Sequence, residues 1–363
     1  MNGSVAQGPN LSKRKLRSIV KDEEKTARAA NLIYVTDKEA GIQRRKSGEK
    51  FDYFFDGTKI KDDEELLRIK HLVIPPAWTK VWICSKPNGH LQATGYDAKN
   101  RKQYRYHPHW NSLRTHTKYY RLLDFGKVLP DIRRQLHKDL NTEGLSLKKV
   151  LAAVVSLMER THIRIGNNFY EKEYGSFGLT TLKDKHVKFN GSSVSFDFVG
   201  KKGVLHNIVL KNKKLAAIIK KCRDVPGKEL FQFYDEEGNR RSIDSGLVNS
   251  YIREISNADF TAKDFRTWAG TVRAFLALKS IGCCDTKTET KKRIVEALDI
   301  VSEHLGNTRT VCKNYYVHPM IISLYESRKL EKYMAAVDTD EANNDKHDLT
   351  PEEKVVMKIL ESN

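Results

Sequence analysis

Cysteine is sparse and unpatterned. The five cysteines, Cys84, Cys222, Cys283, Cys284 and Cys312, are odd in number and make no CxxC pair. That speaks against a disulfide framework or a thiolate zinc site and for a reducing compartment. No apolar run reaches the ~18 residues of a membrane-spanning helix, and Met1 to Asn10 lacks the apolar stretch of a secretory leader. The expected location is therefore the cytoplasm, at the nucleoid if the source is prokaryotic. Clustered carboxylates, an HExxH pair and a GxxxxGK[ST] phosphate loop are also missing. His107 and His109 are two possible ligands with no third nearby. No metal, nucleotide or other cofactor is expected. Acidic residues are in deficit too: 46 Asp and Glu face 65 Lys and Arg, for a net charge of +19. An excess of that size points to a polyanion partner, nucleic acid first of all.

The 363 residues suit two or three domains. Residues 1–30 are polar and basic, with Lys13, Arg14, Lys15 and Arg17 in one cluster, and are expected to be a loose arm. Residues 31–111 are strand-like. Phe51 to Phe55 ends at the turn signal Asp56-Gly57, Lys80 to Cys84 and His90 to Thr94 flank Pro87-Asn88-Gly89 as a hairpin, and Lys102 to Tyr106 adds a further strand. Residues 112–336 turn helical. Leu147, Val150, Leu151, Val154, Val155 and Met158 line one helix face, with Ser146 as N-cap and Gly166 just past the end. Ser193 to Leu210 alternates around Gly200-Lys201-Lys202-Gly203, which puts Lys201 at a hairpin tip. Ile294, Leu298, Val301 and Leu305 form another helical stripe that stops at Gly306-Asn307. Residues 337–363 read as an acidic linker and a short helix starting at Thr350-Pro351-Glu352-Glu353. The fold class expected is α+β, a small mainly-β N-terminal domain followed by a larger mainly-α one.

Chemistry on a phosphodiester without metal needs a nucleophilic hydroxyl, cations for the non-bridging oxygens and an acid for the leaving oxygen. Arg164, Lys201, Arg266 and Tyr316 offer these groups. Each is weak evidence alone: an arginine among apolar residues usually serves an ion pair, and a turn lysine is usually just solvated. Together and in this order, they resemble the catalytic set of type IB DNA topoisomerases, in the small bacterial and poxvirus-like branch. Arg164 stands in IRIGN, Lys201 in FVGKKG, Arg266 in DFRTWAGT, Asn307 in LGNT and Tyr316 in YVHP. The N-terminal half carries GIQRR from Gly41, LVIPPAW ending at Trp78, VWIC from Val81 and GHLQATGYDAKNRKQYRYHP from Gly89. The resemblance runs from about Tyr34 to Met334.

The resemblance implies a monomeric isomerase that relaxes supercoiled duplex DNA. Tyr316 would attack phosphorus and stay joined to the 3′ phosphate. Arg164, Arg266 and Asn307 would bind the non-bridging oxygens, and Lys201, helped by Arg164, would protonate the 5′ oxygen. A phenol ionises near pH ~10, so such a tyrosine needs cations around it. Religation would reverse the path without ATP. The two domains would form a C-shaped clamp on DNA. Two departures stand out: Asn307 occupies a position where poxviral members have histidine, and Gly95-Tyr96-Asp97 has Tyr96 where a basic residue is expected. Tyr315 competes with Tyr316, but only Tyr316 directly precedes the VHP segment. The mixed basic and aromatic run Lys99, Arg101, Lys102, Gln103, Tyr104 and Arg105 is expected to contact DNA. Two alternatives remain. A tyrosine recombinase usually has histidine three residues before the second arginine, where this chain has Lys263. A non-catalytic DNA-binding protein would not need all five positions.

Overall fold

The computed structural model describes residues 22–98, 100–339 and 345–362. It is α+β and divides into two compact units, Met1–Arg121 and Leu122–Asn363. The boundary falls inside one long helix, α3 (Pro108–Leu140), which starts four residues ahead of the helical onset expected from the sequence at Ser112.

In the first unit, β1 (Ile42–Ser47), β2 (Lys50–Phe55), β3 (Thr58–Lys59), β4 (Thr79–Ile83), β5 (Leu91–Tyr96) and β6 (Lys102–Tyr106) make one antiparallel sheet in the order β3-β2-β1-β4-β5-β6. The turn between β2 and β3 holds Asp56 and Gly57 at φ 47° and 76°, the left-handed pair that a two-residue hairpin demands. Helix α2 (Asp63–His71), capped by Asp62, contributes Ile69 to a core with Ile42, Val81, Ile83 and Ala93. The GIQRR and IPPAW motifs turn out to be two halves of one device. Arg44 donates to the carbonyls of Pro75 at 3.1 Å and Trp78 at 2.6 Å, with Ile74 and Pro76 at 3.4 Å. A proline-rich segment cannot pair its backbone by itself, and one guanidinium gathers it against the sheet.

The expected loose arm needs correction over its last part. Asp22 caps helix α1 (Glu23–Ala29), and Ala27, Ala30 and Leu32 pack on Trp110 and Leu113. Small residues at helical spacing let α1 lie close, a tertiary reason invisible to a reading of charge alone. The basic cluster at Lys13 to Arg17 lies outside the described residues.

The second unit is built around α4 (Leu147–Thr161). Every residue from Val150 to Met158 is buried, so the helix is apolar all round and is sheathed on all sides. Ser146 caps it as expected, but it ends at His162 in the left-handed conformation (φ 55°), not at Gly166. The turn that follows lets Arg164 pair its backbone: the Leu179 N–H donates to its carbonyl at 2.9 Å. Then come α5 (Asn168–Tyr174), an antiparallel sheet of β7 (Val187–Asn190), β8 (Ser193–Val199) and β9 (Leu205–Lys211), and α6 (Lys213–Arg223). A short pair, β10 (Gln232–Tyr234) and β11 (Arg240–Ser242), was not foreseen; strands this short carry no alternation to read. Helices α7 (Ser245–Ser256), α8 (Ala262–Ile281), α9 (Lys287–Leu305), α10 (Arg309–Tyr315), α11 (Pro319–Glu326), α12 (Glu331–Thr339) and α13 (Pro351–Glu361) complete the unit.

Helix α13 begins with the capping box foreseen at Thr350 and Glu353. Its Glu353 is doubly used: Arg133 donates to both carboxylate oxygens at 2.9 Å, and Trp268 Nε1 donates to one of them at 2.9 Å. Burial alone would lower Arg133, but the facing Glu159 and Glu353 outweigh it and hold the guanidinium firmly charged. Among the described residues, no helix is long and apolar enough to cross a membrane.

Candidate active site

Arg164, Arg266, Asn307 and Tyr316 come together where α4, α8, α9 and α10 end or begin. Arg266 is on the first turns of α8, whose start is fixed by the Thr261–Asp264 capping box. The residue is 5% exposed. It donates to the His162 carbonyl and, at 2.7 Å, to the Leu305 carbonyl. These are the C-terminal carbonyls of α4 and α9, the negative poles of both helices. Arg164 donates to the Gly306 carbonyl at 2.9 Å and to Asn307 Oδ1. Gly306, at φ 57°, is the left-handed cap that ends α9 and turns Asn307 inward.

Tyr316 is the first residue after α10 and is partly buried. The DFRTWAGT motif explains its placement. Arg266 and Gly270 are one helical turn apart and face the same way. Arg266 Cζ lies 5.2 Å from the Tyr316 ring centroid. A Cβ on Gly270 would stand 2.7 Å from the Tyr316 carbonyl oxygen, so only glycine lets the two backbones approach. Thr271 then donates to that carbonyl at 3.2 Å and accepts from the His318 N–H at 3.1 Å. Neighbouring Val317 is wholly buried and anchors the segment, whereas Tyr315 is 55% exposed.

Two guanidiniums thus stand close together and, among the described residues, neither has a carboxylate partner. Burial first, and then Arg266, push Arg164 down to about 10; burial lowers Arg266 as well, with Tyr316 opposing. At neutral pH both remain cations. Charge withdrawn from water without a counter-charge is costly, and an arrangement that keeps one buried and one partly buried guanidinium together is prepared for an anion with several oxygens.

Lys201 comes from a separate turn of the chain. It is on the tight turn between β8 and β9, exposed as expected, and its Nζ lies 5.1 Å from the Tyr170 ring centroid. It hydrogen-bonds to none of the other four. Of the expected DNA contacts, Lys99 lies outside the described residues. Arg101 and Gln103 are engaged by Asp97, at 2.8 Å and 3.0 Å. Lys102 pairs with Asp37 at 2.5 Å. Arg105 donates to the Val73 carbonyl at 2.8 Å, and Tyr104 is 47% exposed.

His206 was not singled out from the sequence. Its ring sits beside Gly306, and burial, then Arg164 and Arg266, hold it down to about 4. A signal was present: the alternation of β9 puts His206 on the same face as Ile208 and Leu210, the inward side, where a polar residue is unusual.

The chain matches the family described as "Eukaryotic DNA topoisomerase I, catalytic core" over residues 107–342 and the one described as "Bacterial DNA topoisomerase IB, N-terminal domain" over residues 50–97. It is 33% identical over 299 residues to the DNA topoisomerase 1B of Acanthamoeba polyphaga mimivirus, covering 79% of this chain and 88% of that one. This chain belongs to the type IB DNA topoisomerases. Similarity extends to the DNA topoisomerase 1B of Vaccinia virus (strain Copenhagen), 24% identical over 78% of this chain and 89% of the relative. The DNA topoisomerase 1 of Daucus carota is 24% identical over 47% of this chain and 20% of the relative. In this topoisomerase the N-terminal match lies inside the first unit, the catalytic-core match starts at residue 107 near that unit's end and runs through most of the second, and α13 lies beyond both matched segments. The matches favour the isomerase over the recombinase and the non-catalytic readings.

Proposed function

We propose that this topoisomerase relaxes supercoiled duplex DNA by cutting and resealing one strand through Tyr316. The supporting observation is Arg266, buried against the Tyr316 ring, with Arg164 partly buried nearby and, among the described residues, neither holding a carboxylate partner. The phenolic oxygen of Tyr316, its proton given up to solvent, attacks the scissile phosphorus. A phosphotyrosine bond to the 3′ phosphate forms as the bond to the 5′ oxygen breaks. Arg164, Arg266 and the Asn307 amide neutralise or hydrogen-bond the non-bridging oxygens, where charge gathers. Lys201 gives a proton to the departing 5′ oxygen and stays neutral until religation returns it. Its place on an exposed turn, with no hydrogen bond to the other four, suits a group that meets the bond only when DNA is bound.

Religation runs the same steps backwards: the 5′ hydroxyl attacks the phosphotyrosine, Lys201 recovers its proton and the phenol leaves. The phosphodiester energy stays in the covalent bond, so no nucleotide is required, and side-chain cations take the place a metal ion would fill. The enzyme acts as a monomer, the two units closing as a C-shaped clamp on duplex DNA through their basic residues, with Arg101, Lys102, Gln103, Tyr104 and Arg105 on the first unit's side. The test is plasmid relaxation in EDTA without nucleotide. Linking number should change in steps of one. An absolute need for Mg²⁺ or ATP would overturn the reading.

A further inference from the structure

One flat ring touches both halves of the proposed chemistry. The His206 imidazole stacks on Phe198 with centroids 4.9 Å apart and planes 19° from parallel. Its two edges meet two glycines. A Cβ on Gly200 would lie 2.6 Å from His206 Cδ2 and Nε2, and a Cβ on Gly306 would lie 2.7 Å from Cε1. Gly306 has φ 57°, so its backbone also asks for glycine. Gly200 does not: its φ of −90° is open to any residue. Glycine at 200 is therefore required by the ring alone. Gly200 is the residue before Lys201, and Gly306 is the residue before Asn307 and supplies the carbonyl that holds Arg164.

We propose that His206 is a positioning residue that sets the Lys201 turn against the Gly306–Asn307 turn, and so fixes where the acid stands relative to the oxyanion-binding groups. This rests on the roles given above to Lys201 and Asn307. The ring acts as a spacer, not as an acid or base. Burial, then Arg164 and Arg266, keep it uncharged at neutral pH, so it adds no repulsion to a site already rich in cations. Phe198 and Gly200 clamp it from the β8 side, so a shift of the ring moves the turn with it.

The experiment is single-turnover cleavage of a duplex whose scissile 5′ bridging atom is oxygen or sulfur, with DNA affinity measured alongside. A misplacement of about 1 Å can cost on the order of 100-fold in rate. His206→Ala should therefore slow cleavage of the oxygen duplex on the order of 10- to 100-fold with affinity unchanged. Sulfur leaves without a proton, so the sulfur duplex should recover most of the loss. His206→Phe, which keeps a flat ring on Phe198, should restore most of the rate. Gly200→Ala, whose methyl would press on the imidazole from the turn itself, should reproduce the His206→Ala defect. Wild-type cleavage by His206→Ala, or equal loss on both duplexes while Lys201→Ala is rescued by sulfur, would overturn the proposal. If sulfur fails to rescue Lys201→Ala itself, the role of Lys201 falls and the proposal falls with it, a failure told apart by that control.

Discussion

Arg266 shows how much one side chain is asked to do. It satisfies carbonyls at two helix ends, lies against Tyr316 and, among the described residues, remains buried without a counter-charge. Arg266→Lys keeps the charge but cannot span two carbonyls and a phosphate with one ammonium. Cleavage should drop on the order of 100- to 1,000-fold, the cost of losing one preorganised donor, on sulfur and oxygen duplexes alike. A defect cured by sulfur would assign Arg266 to leaving-group protonation instead. Histidines supply a pH test. In the folded chain burial, then Arg164 and Arg266, hold His206 at about 4, and burial, then His304 and Arg266, hold His162 at about 3, both below the ordinary 6.5. The unfolded chain takes up these protons first as pH falls. Their stabilising contribution is therefore complete above pH 6.5 and is lost as pH drops through about 4 towards 3. Melting temperature should fall over that window, and less so in His206→Phe. An equal fall in both proteins would show that His206 does not titrate in this way.

Elements with strong local signals could be read without the structure. The Lys201 hairpin announced itself by alternation around paired glycines, α4 by its apolar spacing, and α13 by Thr350, Pro351 and Glu353. The proposed catalytic residues were picked out through the motifs around them rather than through their own chemistry. What escaped depends on contacts between distant segments. The early end of α4 is set by Arg266 drawing on the His162 carbonyl, 104 positions away. The packing of α1 needs Trp110. His206 matters because Gly200 and Gly306 meet it. Two predictions belong to this scale. Gly270→Ala forces a methyl to within 2.7 Å of the Tyr316 carbonyl, so α8 or the Tyr316 segment must move. Cleavage should fall while duplex affinity holds; unchanged cleavage would mean that the close approach is not needed. Glu353→Ala would strip Arg133 of its bidentate partner and Trp268 of its acceptor. A buried pair broken from one side costs about 3–5 kcal/mol, so calorimetry should show a marked loss of melting temperature. A change near zero would mean that α13 is not held there.

The whole molecule carries a net charge of +19, far more than two active-site guanidiniums need. Phosphate contacts spread over both units would make binding fall steeply with salt, with a log–log slope of about −0.9 per contact. Arg105→Ala should make that slope shallower by about one contact's worth, and an unchanged slope would remove Arg105 from the interface. The central claim, however, is a covalent bond at one named oxygen. Its most direct test is to incubate the enzyme with nicked duplex in EDTA, stop with SDS, digest and map the DNA-linked peptide by mass spectrometry. The account predicts a 3′-phosphoryl adduct on Tyr316, kept by Tyr315→Phe and abolished by Tyr316→Phe, which still binds duplex. An adduct on Tyr315, or none without added metal, would contradict it.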